Sequence, residues 1–339
     1  QGVGPVNRKL LTLLSSLLVL GSLLLTSCIA SLPKETEASP TTLASQESEP
    51  VKTPAATTAA EAEPLVHESI EEAVVLDEED ILARVRELDF SNPRGPSLIY
   101  EIENKSDEAI SSFFYDVSVN GIMIPATFTF WQGPNEEDPH ENLLPGETAA
   151  FDLIFPLDAL ETALIGKIRE IEFALYIMDG KTKINLIDAR GIRVKTDAGP
   201  SYVQAYDQEG TVLQDDGDMK ILVRLADSFP GPDESPDPSL PLLWVYMENR
   251  QEEERMVSAL DMKINGIAVF SGFQKSLGGF KRSYGYLFLD SQAYRDHGFE
   301  SIAELSVRFQ VRSGDYSQEP LSNTSEFRFV IEDEFPAEP

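Results

Sequence analysis

Residues 103–124 read ENKSDEAISSFFYDVSVNGIMI, and the chain contains a second copy of this stretch. The second copy, residues 248–269, reads ENRQEEERMVSALDMKINGIAV and aligns without a gap at an offset of 145 residues (249 − 104 and 265 − 120). In both copies apolar residues alternate on each side of an Asn-Gly pair, Asn120-Gly121 or Asn265-Gly266. Asn-Gly accepts the positive φ that both positions of a type I′ turn need, and alternation puts the apolar side chains on one face. Each copy therefore predicts a β-hairpin with one buried face.

The duplication extends to both sides of the hairpin. Downstream, residues 171–177 and 305–311 alternate apolar and mostly polar side chains, which is typical of strands with one face in water. Their offset is 134 residues (305 − 171), so the first copy has about 11 extra residues after its hairpin (145 − 134). Asp158 and Glu161 have the spacing of a capping box and predict the start of a short helix. Six or seven short strands per copy predict an all-β chain of two tandem antiparallel β-sandwiches.

The N-terminal segment has the features of an export signal. Arg8-Lys9 precede an apolar run from Leu10 to Leu25, which as a helix would reach about 24 Å, short of the roughly 30 Å hydrocarbon core. A positive start and a short apolar region describe a secretory signal. The run ends Leu25-Thr26-Ser27-Cys28, which resembles the lipobox of bacterial lipoproteins. That resemblance implies that residues 1–27 are removed and that a lipid on Cys28 anchors the protein to the outside of the bacterial cell membrane. The alternatives are a chance cysteine in an ordinary signal peptide and an uncleaved anchor.

Composition divides the rest of the chain. Residues 28–71 are rich in Ser, Thr, Ala, Pro and Glu, with too little apolar area to offset ordering, and predict a disordered tether. The two sandwiches are predicted at residues 72–198 and 199–334. The chain has 27 Lys plus Arg against 58 Asp plus Glu, a net charge of −31. Because nucleic-acid binding needs clustered cations, we expect no nucleic-acid partner.

Several short motifs resemble one family. They are Val75-Leu76-Asp77-Glu78-Glu79-Asp80, Glu103-Asn104-Lys105-Ser106, residues 116–121 and residues 168–173. They are similar to an immunoglobulin-like module of unknown function that recurs in tandem in lipoproteins and other surface proteins of Gram-positive bacteria. The second copy matches more loosely and lacks the serine after Asn249-Arg250. The resemblance covers about three quarters of the chain and implies a fold and a location, but no catalytic residue. A Cys-Trp-Cys core is absent, which excludes an antibody-type domain.

Motifs for catalysis are lacking in the sequence. The three histidines, His67, His140 and His297, have no motif partner, and a single cysteine gives no zinc-binding spacing. Neither a Gly-rich phosphate loop nor a Gly-x-Ser-x-Gly nucleophile turn occurs. We therefore expect a non-enzymatic protein without a cofactor. Paired carboxylates of a hydrolase stay open as an alternative, because such pairing is spatial.

The acidic turns that precede the second strand of each copy are candidate calcium sites. Clustered carboxylate oxygens suit Ca²⁺, although the spacing is not that of a 12-residue calcium loop. The alternative is a pair of solvated hairpin turns. The candidate ligands are Asp77, Glu79, Asp80, Asp215, Asp216 and Asp218.

Aromatic residues form two candidate contact sites. The insertion in the first copy, residues 131–146, places Trp131 near His140, and a buried Trp often dominates the energy of an interface. The alternative is a tolerated surface insertion, since longer loops cost little entropy. In the second copy the aromatic residues either fill the core or form an exposed contact surface. They are Trp244, Phe270, Phe273, Phe280, Tyr284 and Tyr286.

These features predict a lipid-anchored cell-surface protein that acts as a non-enzymatic adhesion, scaffold or ligand-presenting module. Its expected partners are the membrane, through the lipid on Cys28, and an envelope protein or glycan. The alternative is a lipid-anchored receptor for a small solute or glycan. A receptor of that kind needs a concave pocket with convergent polar groups.

Overall fold

The computed structural model describes residues 65–128, 142–226, 239–290, 296–299, 302–314 and 319–330. Within these ranges the chain consists mainly of β-strands and turns, with a six-residue helix at Leu157–Thr162, which confirms the all-β prediction. The predictions for Cys28, Trp131 and His140 lie outside the described residues, and so does most of the predicted tether.

The strands follow the two sequence copies. The first repeat contains β1 (Ala73–Asp77), β2 (Ile81–Asp89), β3 (Ser97–Asn104), β4 (Ile110–Val119), β5 (Ile122–Met123), β6 (Thr127–Phe128), β7 (Thr148–Ile154), α1 (Leu157–Thr162), β8 (Glu170–Asp179) and β9 (Asn185–Lys195). The second contains β10 (Thr211–Asp215), β11 (Met219–Leu225), β12 (Ser239–Asn249), β13 (Arg255–Ile264), β14 (Ile267–Ala268), β15 (Gln274–Leu277), β16 (Arg282–Asp290), β17 (Glu304–Ser313), β18 (Ser322–Asn323) and β19 (Phe327–Val330).

Two β-sheets enclose an apolar core in each repeat. In the first, the sheet β1-β2-β3-β7-β6 packs against the strands β5-β4-β8-β9. In the second, β10-β11-β12-β16 packs against a sheet in which β13 pairs with β14, β15 and β17, while β17 pairs with β18 and β19. Within each repeat these pairings are antiparallel, as the sandwich prediction requires. Strands β1–β9 lie in residues 72–198 and β10–β19 in residues 199–334.

The Asn-Gly pairs form the predicted hairpins. Asn120 and Gly121 have φ values of 53° and 80°, and Asn265 and Gly266 have values of 49° and 78°, as a type I′ turn requires. Ile122, after the first turn, is fully buried. Its counterpart Ile267 is 42% exposed, so the prediction of one wholly buried face is wrong at that position. The cause is a difference in partners, because β5 pairs with a strand of the other repeat and β14 pairs only with β13 among the described strands.

We expect Gly121→Val and Gly266→Val to destabilise the protein by similar amounts. A Cβ at either glycine meets no atom within 4 Å, so the cost comes from forcing a β-branched residue to positive φ. That strain is about 1–3 kcal/mol in each variant. Chemical denaturation measures it, with Gly217→Ala as a control, because that glycine also has open space but lacks a positive φ. Unchanged stability in both valine variants would contradict the hairpin assignment.

The asparagine that begins each repeated stretch is fully buried and closes the turn between two strands. The Asn104 Nδ2 group donates to the carbonyls of Glu108 and Leu143 at 2.9 and 3.0 Å, and its Oδ1 accepts from Ser106 N at 3.0 Å. Asn249 makes equivalent bonds in the second repeat and one more, donating to the carbonyls of Glu253, Leu277 and Gly278. The asparagine of the repeated Glu-Asn pair is therefore a structural residue, since buried backbone carbonyls need donors.

A single parallel strand pair joins the repeats. Ile122 and Met123 of β5 pair with Arg282 and Ser283 of β16, so two four-stranded sheets become one sheet of eight strands. The outer face of the second repeat packs beside this junction against the core of the first. Four apolar residues on this face of the second repeat are part of the first repeat's core: Leu222, Trp244, Tyr246 and Tyr284.

The connecting segment, residues 199–210, is hydrogen-bonded to both repeats. The Gln204 side chain accepts from Asn120 Nδ2 at 2.8 Å and donates to the Leu164 carbonyl at 3.0 Å. Farther along, the Tyr284 hydroxyl accepts from Asp207 N, and Gln208 donates to the Tyr246 hydroxyl, both at 3.1 Å. The two repeats thus share a sheet, a core and a hydrogen-bonded connection.

Two sequence predictions need correction. The helix α1 is present, but its N-cap is Pro156 without a side-chain cap, and Asp158 lies inside the first turn. The predicted capping box at Asp158 is therefore wrong. The predicted start of the fold at residue 72 is also too late, because Ser69 N and Oγ donate to the Asp197 carboxylate at 2.9 and 2.7 Å. Ile70 forms a β-bridge with Thr196, so residues 65–71 belong to the first sandwich and not to the tether.

Candidate binding cavity between the repeats

A cavity of about 200 Å³ lies beside the junction of the two repeats. The bulged part of β4 and the strands β8 and β9 form one wall, and the segments before β13 and before β16 form the other. It is lined by Asp116, Met123, Glu172, Phe173, Ala174, Arg190 and Gly191 of the first repeat and Glu252, Glu254, Gly278, Gly279 and Lys281 of the second.

The cavity carries more negative than positive charge. Four carboxylates line it against two cationic side chains, Arg190 and Lys281. Lys281 Nζ lies 2.7 Å from Glu172 Oε2, which also pairs with Arg193 at 2.8 Å. Glu172 is therefore neutralised by two cations. The remaining three carboxylates, Asp116, Glu252 and Glu254, make no ion pair within the described residues.

Arg190 is held at the rim by other groups. Its Nε donates to both oxygens of Asp188, at 3.0 and 3.1 Å, and its Nη2 donates to the Tyr176 hydroxyl at 2.7 Å. The guanidinium carbon also lies over the rings of Tyr115 and Tyr176, 5.7 and 5.9 Å from their centroids. These contacts keep Arg190 on the aromatic pair at the surface, and its donors do not reach Asp116.

Asp116 occupies an irregular position that both repeats reproduce. It lies in a β-bulge between Tyr115 and Ser118 and has a φ of 53°, the same value as Asp261 in the second repeat. Aspartate tolerates this left-handed conformation better than most residues. Burial raises the pKa of the Asp116 carboxyl above its ordinary value, and the nearby charge of Glu254 raises it further, whereas the charges of Arg190 and Lys281 oppose the shift without cancelling it.

We expect Asp116→Asn to stabilise the protein near neutral pH. A raised folded-state pKa means that the folded protein holds this proton more tightly than the unfolded chain, so ionisation of Asp116 lowers the free energy of unfolding as pH rises through that range. Asparagine is neutral and similar in size, and removes this cost. Thermal unfolding should show a higher Tm for the variant near neutral pH, and the gain should vanish below about pH 3.

Asp261→Asn is the matched control. Asp261 lies in the equivalent bulge of the second repeat, but it is exposed and paired with Arg308. Its replacement should therefore lower stability slightly or leave it unchanged. An Asp116→Asn variant that is less stable than the wild type near neutral pH would contradict the argument that the ionised Asp116 carboxylate destabilises the folded protein.

A larger open groove, of about 650 Å³, lies between residues 69–75 and 192–197. Two of its polar side chains are already paired, because Ser69 bonds to Asp197 and those two hydrogen bonds lower the pKa of that carboxyl. Convergent polar groups without partners therefore favour the cavity between the repeats as the candidate site.

The carboxylates of the predicted calcium sites bond to neighbouring protein groups. Asp216 Oδ1 accepts from Asp218 N and Met219 N at 2.8 Å, and these amides help to lower its pKa against the opposing effect of burial. Asp215 pairs with Arg250 at 2.8 Å, and Asp77 lies 3.8 Å from Lys105. No group of three or more Asp, Glu, His or Cys side chains within the described ranges has a metal-binding arrangement. Calcium binding by Asp77, Glu79, Asp80, Asp215, Asp216 or Asp218 stays a prediction to which this geometry adds no support.

The aromatic residues of the second copy divide into three groups. Trp244 and Tyr284 are buried at the junction with the first repeat, and Phe273 is buried in the second core. Phe270 and Phe280 are exposed by 86% and 64%. Tyr286 is 38% exposed. Because three of the six residues are buried, the six do not form the single exposed contact surface that the sequence suggested as one alternative.

Comparisons with known proteins give little further information. No protein-family model matches the chain, and no curated protein matches it. Among solved structures, the YadV chaperone matches with a TM-score of 0.20 and 12% sequence identity, over 69% of this chain and 92% of that one. In the part of the chain that the structure describes, no helix is long and apolar enough to cross a membrane.

The cavity was not predicted from the sequence, although a signal was present. Arg308 of the second repeat aligns with Ala174 of the first at the offset of 134 residues (308 − 174). The same bulge aspartate is therefore paired with arginine in one repeat and lies beside alanine in the other. Comparing the polar positions of the two copies, and not only the apolar ones, would have identified Asp116.

Proposed function

We propose that this chain is a lipid-anchored, extracytoplasmic protein whose two joined β-sandwiches act as a non-enzymatic module for adhesion, scaffolding or ligand presentation. The observation that carries this proposal is the junction between the repeats. One eight-stranded sheet and the buried aromatic face hold both modules in one compact unit. A unit of that kind suits presentation of a surface, because its parts are ordered before a partner binds.

The lipid anchor rests on the sequence. A basic start, a short apolar run and Cys28 at its end support it, and two acyl chains are needed for stable membrane attachment. The predicted partners are accordingly the membrane, through Cys28, and an envelope protein or glycan.

We expect Cys28→Ala to release the protein from the membrane or to leave its precursor uncleaved. Without the thiol no lipid can be attached. The signal, residues 1–27, is then either left uncleaved or removed to give a protein without an anchor. Membrane fractionation and the mobility of the precursor on gels measure the two effects. Cys28→Ser is a second variant with nearly the same size. Normal processing and membrane retention in both variants would show that the lipoprotein assignment is wrong.

A receptor function is the second candidate, and the cavity between the repeats favours it. This cavity is concave and has polar groups from both repeats, including carboxylates without ion-pair partners in the described residues. Its volume of about 200 Å³ suits part of a small ligand or one side chain of a partner, since sites for drug-sized ligands begin near 300 Å³.

An affinity pull-down against envelope fractions tests both functions at once. If the protein is an adhesion or scaffold module, it should capture a specific envelope component. If it is a receptor, a variant of the cavity should no longer capture that component. Absence of any specific component would contradict the proposed function. Trp131 and His140 remain candidate contacts, which deletion of residues 132–141 and Trp131→Ala would test in the same assay.

A further inference from the structure

The second repeat shows what the bulge aspartate binds. Asp261 Oδ2 lies 2.8 Å from Arg308 Nη2, and both side chains are nearly half exposed. Arg308 lies on β17 directly opposite Leu260, the residue before the bulge. The first repeat has the same bulge, the same φ at the aspartate and the equivalent strand β8, but Ala174 lies opposite Tyr115. The first repeat therefore has the same backbone geometry and the aspartate of this ion pair, but it lacks the arginine.

The second repeat lines one side of the space in front of Asp116. Ala174 is only 2% exposed and lines the cavity together with Glu254 and Lys281. The cations within reach are already paired, Lys281 with Glu172 and Arg190 with Asp188. Glu254 places a second carboxylate near Asp116, and no ion pair of Glu254 occurs in the described residues. An added cation would therefore neutralise a partly buried charge instead of displacing an existing pair.

We propose that this cavity binds a guanidinium group, with Asp116 as its counter-ion. A guanidinium fits better than a metal ion, because the described residues offer no group of three metal ligands. It also fits better than an ammonium, because its planar donors match carboxylates on two sides and it is more easily desolvated. The group belongs either to free arginine or to an arginine side chain of a partner protein. This inference rests on the receptor form of the proposed function.

Calorimetric titration of the purified protein with small probes tests the ligand chemistry. The probes are free arginine, a blocked Gly-Arg-Gly peptide, a blocked Gly-Lys-Gly peptide and a blocked Gly-citrulline-Gly peptide. Citrulline has nearly the shape of arginine but no charge. We expect the arginine peptide to bind at least about tenfold more tightly than the citrulline peptide, because charge-assisted hydrogen bonds are about twice as strong as neutral ones. Binding of the peptide but not of free arginine would assign the guanidinium to a partner's side chain, and binding of both would assign it to a small ligand.

Two variants link that binding to the cavity. Asp116→Asn removes the counter-ion and should weaken the arginine peptide by about tenfold or more. Ala174→Arg places in the first repeat the arginine that the second repeat has, so it should occupy the cavity itself and abolish binding. Asp261→Asn is the control and should bind like the wild type, because that carboxylate lies outside the cavity.

The outcomes separate this inference from the proposed function. Equal affinity for the arginine and citrulline peptides, or unchanged affinity in Asp116→Asn, overturns the guanidinium site even if Ala174→Arg fails to fold. If the wild type and Asp116→Asn capture the same envelope component equally in the pull-down, the protein binds that component but the cavity takes no part in the binding. A wild type that binds the arginine peptide but captures no envelope component supports the site and contradicts the adhesion function.

Discussion

Replacement of Asn104 by leucine should destabilise the first repeat by about 1–3 kcal/mol, which is the cost of leaving a buried polar group without a partner. Leucine has a similar volume but neither donates nor accepts. The carbonyls of Glu108 and Leu143 would each lose one donor, although Glu108 O keeps the Ser106 hydroxyl and Leu143 O keeps Ile110 N. Ser106 N would lose its acceptor as well. Urea denaturation followed by circular dichroism measures the loss.

Asn249→Leu tests the same argument in the second repeat. Its side chain bonds three carbonyls, one more than Asn104, and one backbone amide, so the loss should be similar. Asn185→Leu is the exposed control at the start of β9 and should change stability by no more than about 0.5 kcal/mol. If Asn104→Leu were as stable as the Asn185 control, the repeated Glu-Asn pair would have no structural role and would need a functional explanation.

The sandwich fold was predictable because local patterns determine it. The alternation in β8 and β17 places Ile171, Phe173 and Leu305 in the cores, where the structure has them. The Asn-Gly pairs determine the turn type, because few other residue pairs accept positive φ twice. These signals act within about ten residues, which is the range over which a periodic pattern in one sequence is informative.

The junction between the repeats depends on long-range contacts and was not predicted. The pairing of β5 with β16 joins residues that are 160 positions apart (282 − 122). The two copies nevertheless differ in a way that indicates which face is buried. On the outer face Tyr246 replaces Glu101, and Leu222 replaces Arg84. In the first repeat Arg84 and Glu101 form a partly exposed ion pair at 3.3 Å, so that face keeps contact with water, whereas the apolar face of the second repeat is covered.

The early start of the fold has a similar physical cause. Averaged over residues 28–71 the composition is that of a tether, although residues 65–71 include Leu65, Val66 and Ile70. The order of this short segment comes from distant partners such as Asp197 and Thr196. His67 stacks on Phe90 with ring centroids 4.4 Å apart. Composition alone measures only the apolar area within a segment, and these contacts lie outside it.

Trp244→Ala should have the largest effect on the junction. The indole is 2% exposed, its centroid lies 5.2 Å from that of Tyr284, and the Arg224 guanidinium lies 4.2 Å above its ring. Truncation of a buried Trp to Ala costs about 3–5 kcal/mol, because it removes contact area and leaves a cavity. This loss falls on contacts between the repeats, so we expect the variant to unfold in two steps and the wild type in one. Urea denaturation observed by two probes, with limited proteolysis in residues 199–210, measures both effects.

Tyr286→Ala is the matched control for this variant. Tyr286 pairs with Trp244 across the neighbouring strand β16, but it is 38% exposed and lies beyond the two residues that pair with β5. Its truncation should cost less than about 1.5 kcal/mol and leave a single transition. A Trp244→Ala variant that loses no more stability than Tyr286→Ala and still unfolds in one step would show that the aromatic face does not couple the repeats. The parallel pairing of β5 with β16 and the hydrogen bonds of Gln204 would then have to hold the two sandwiches together without it.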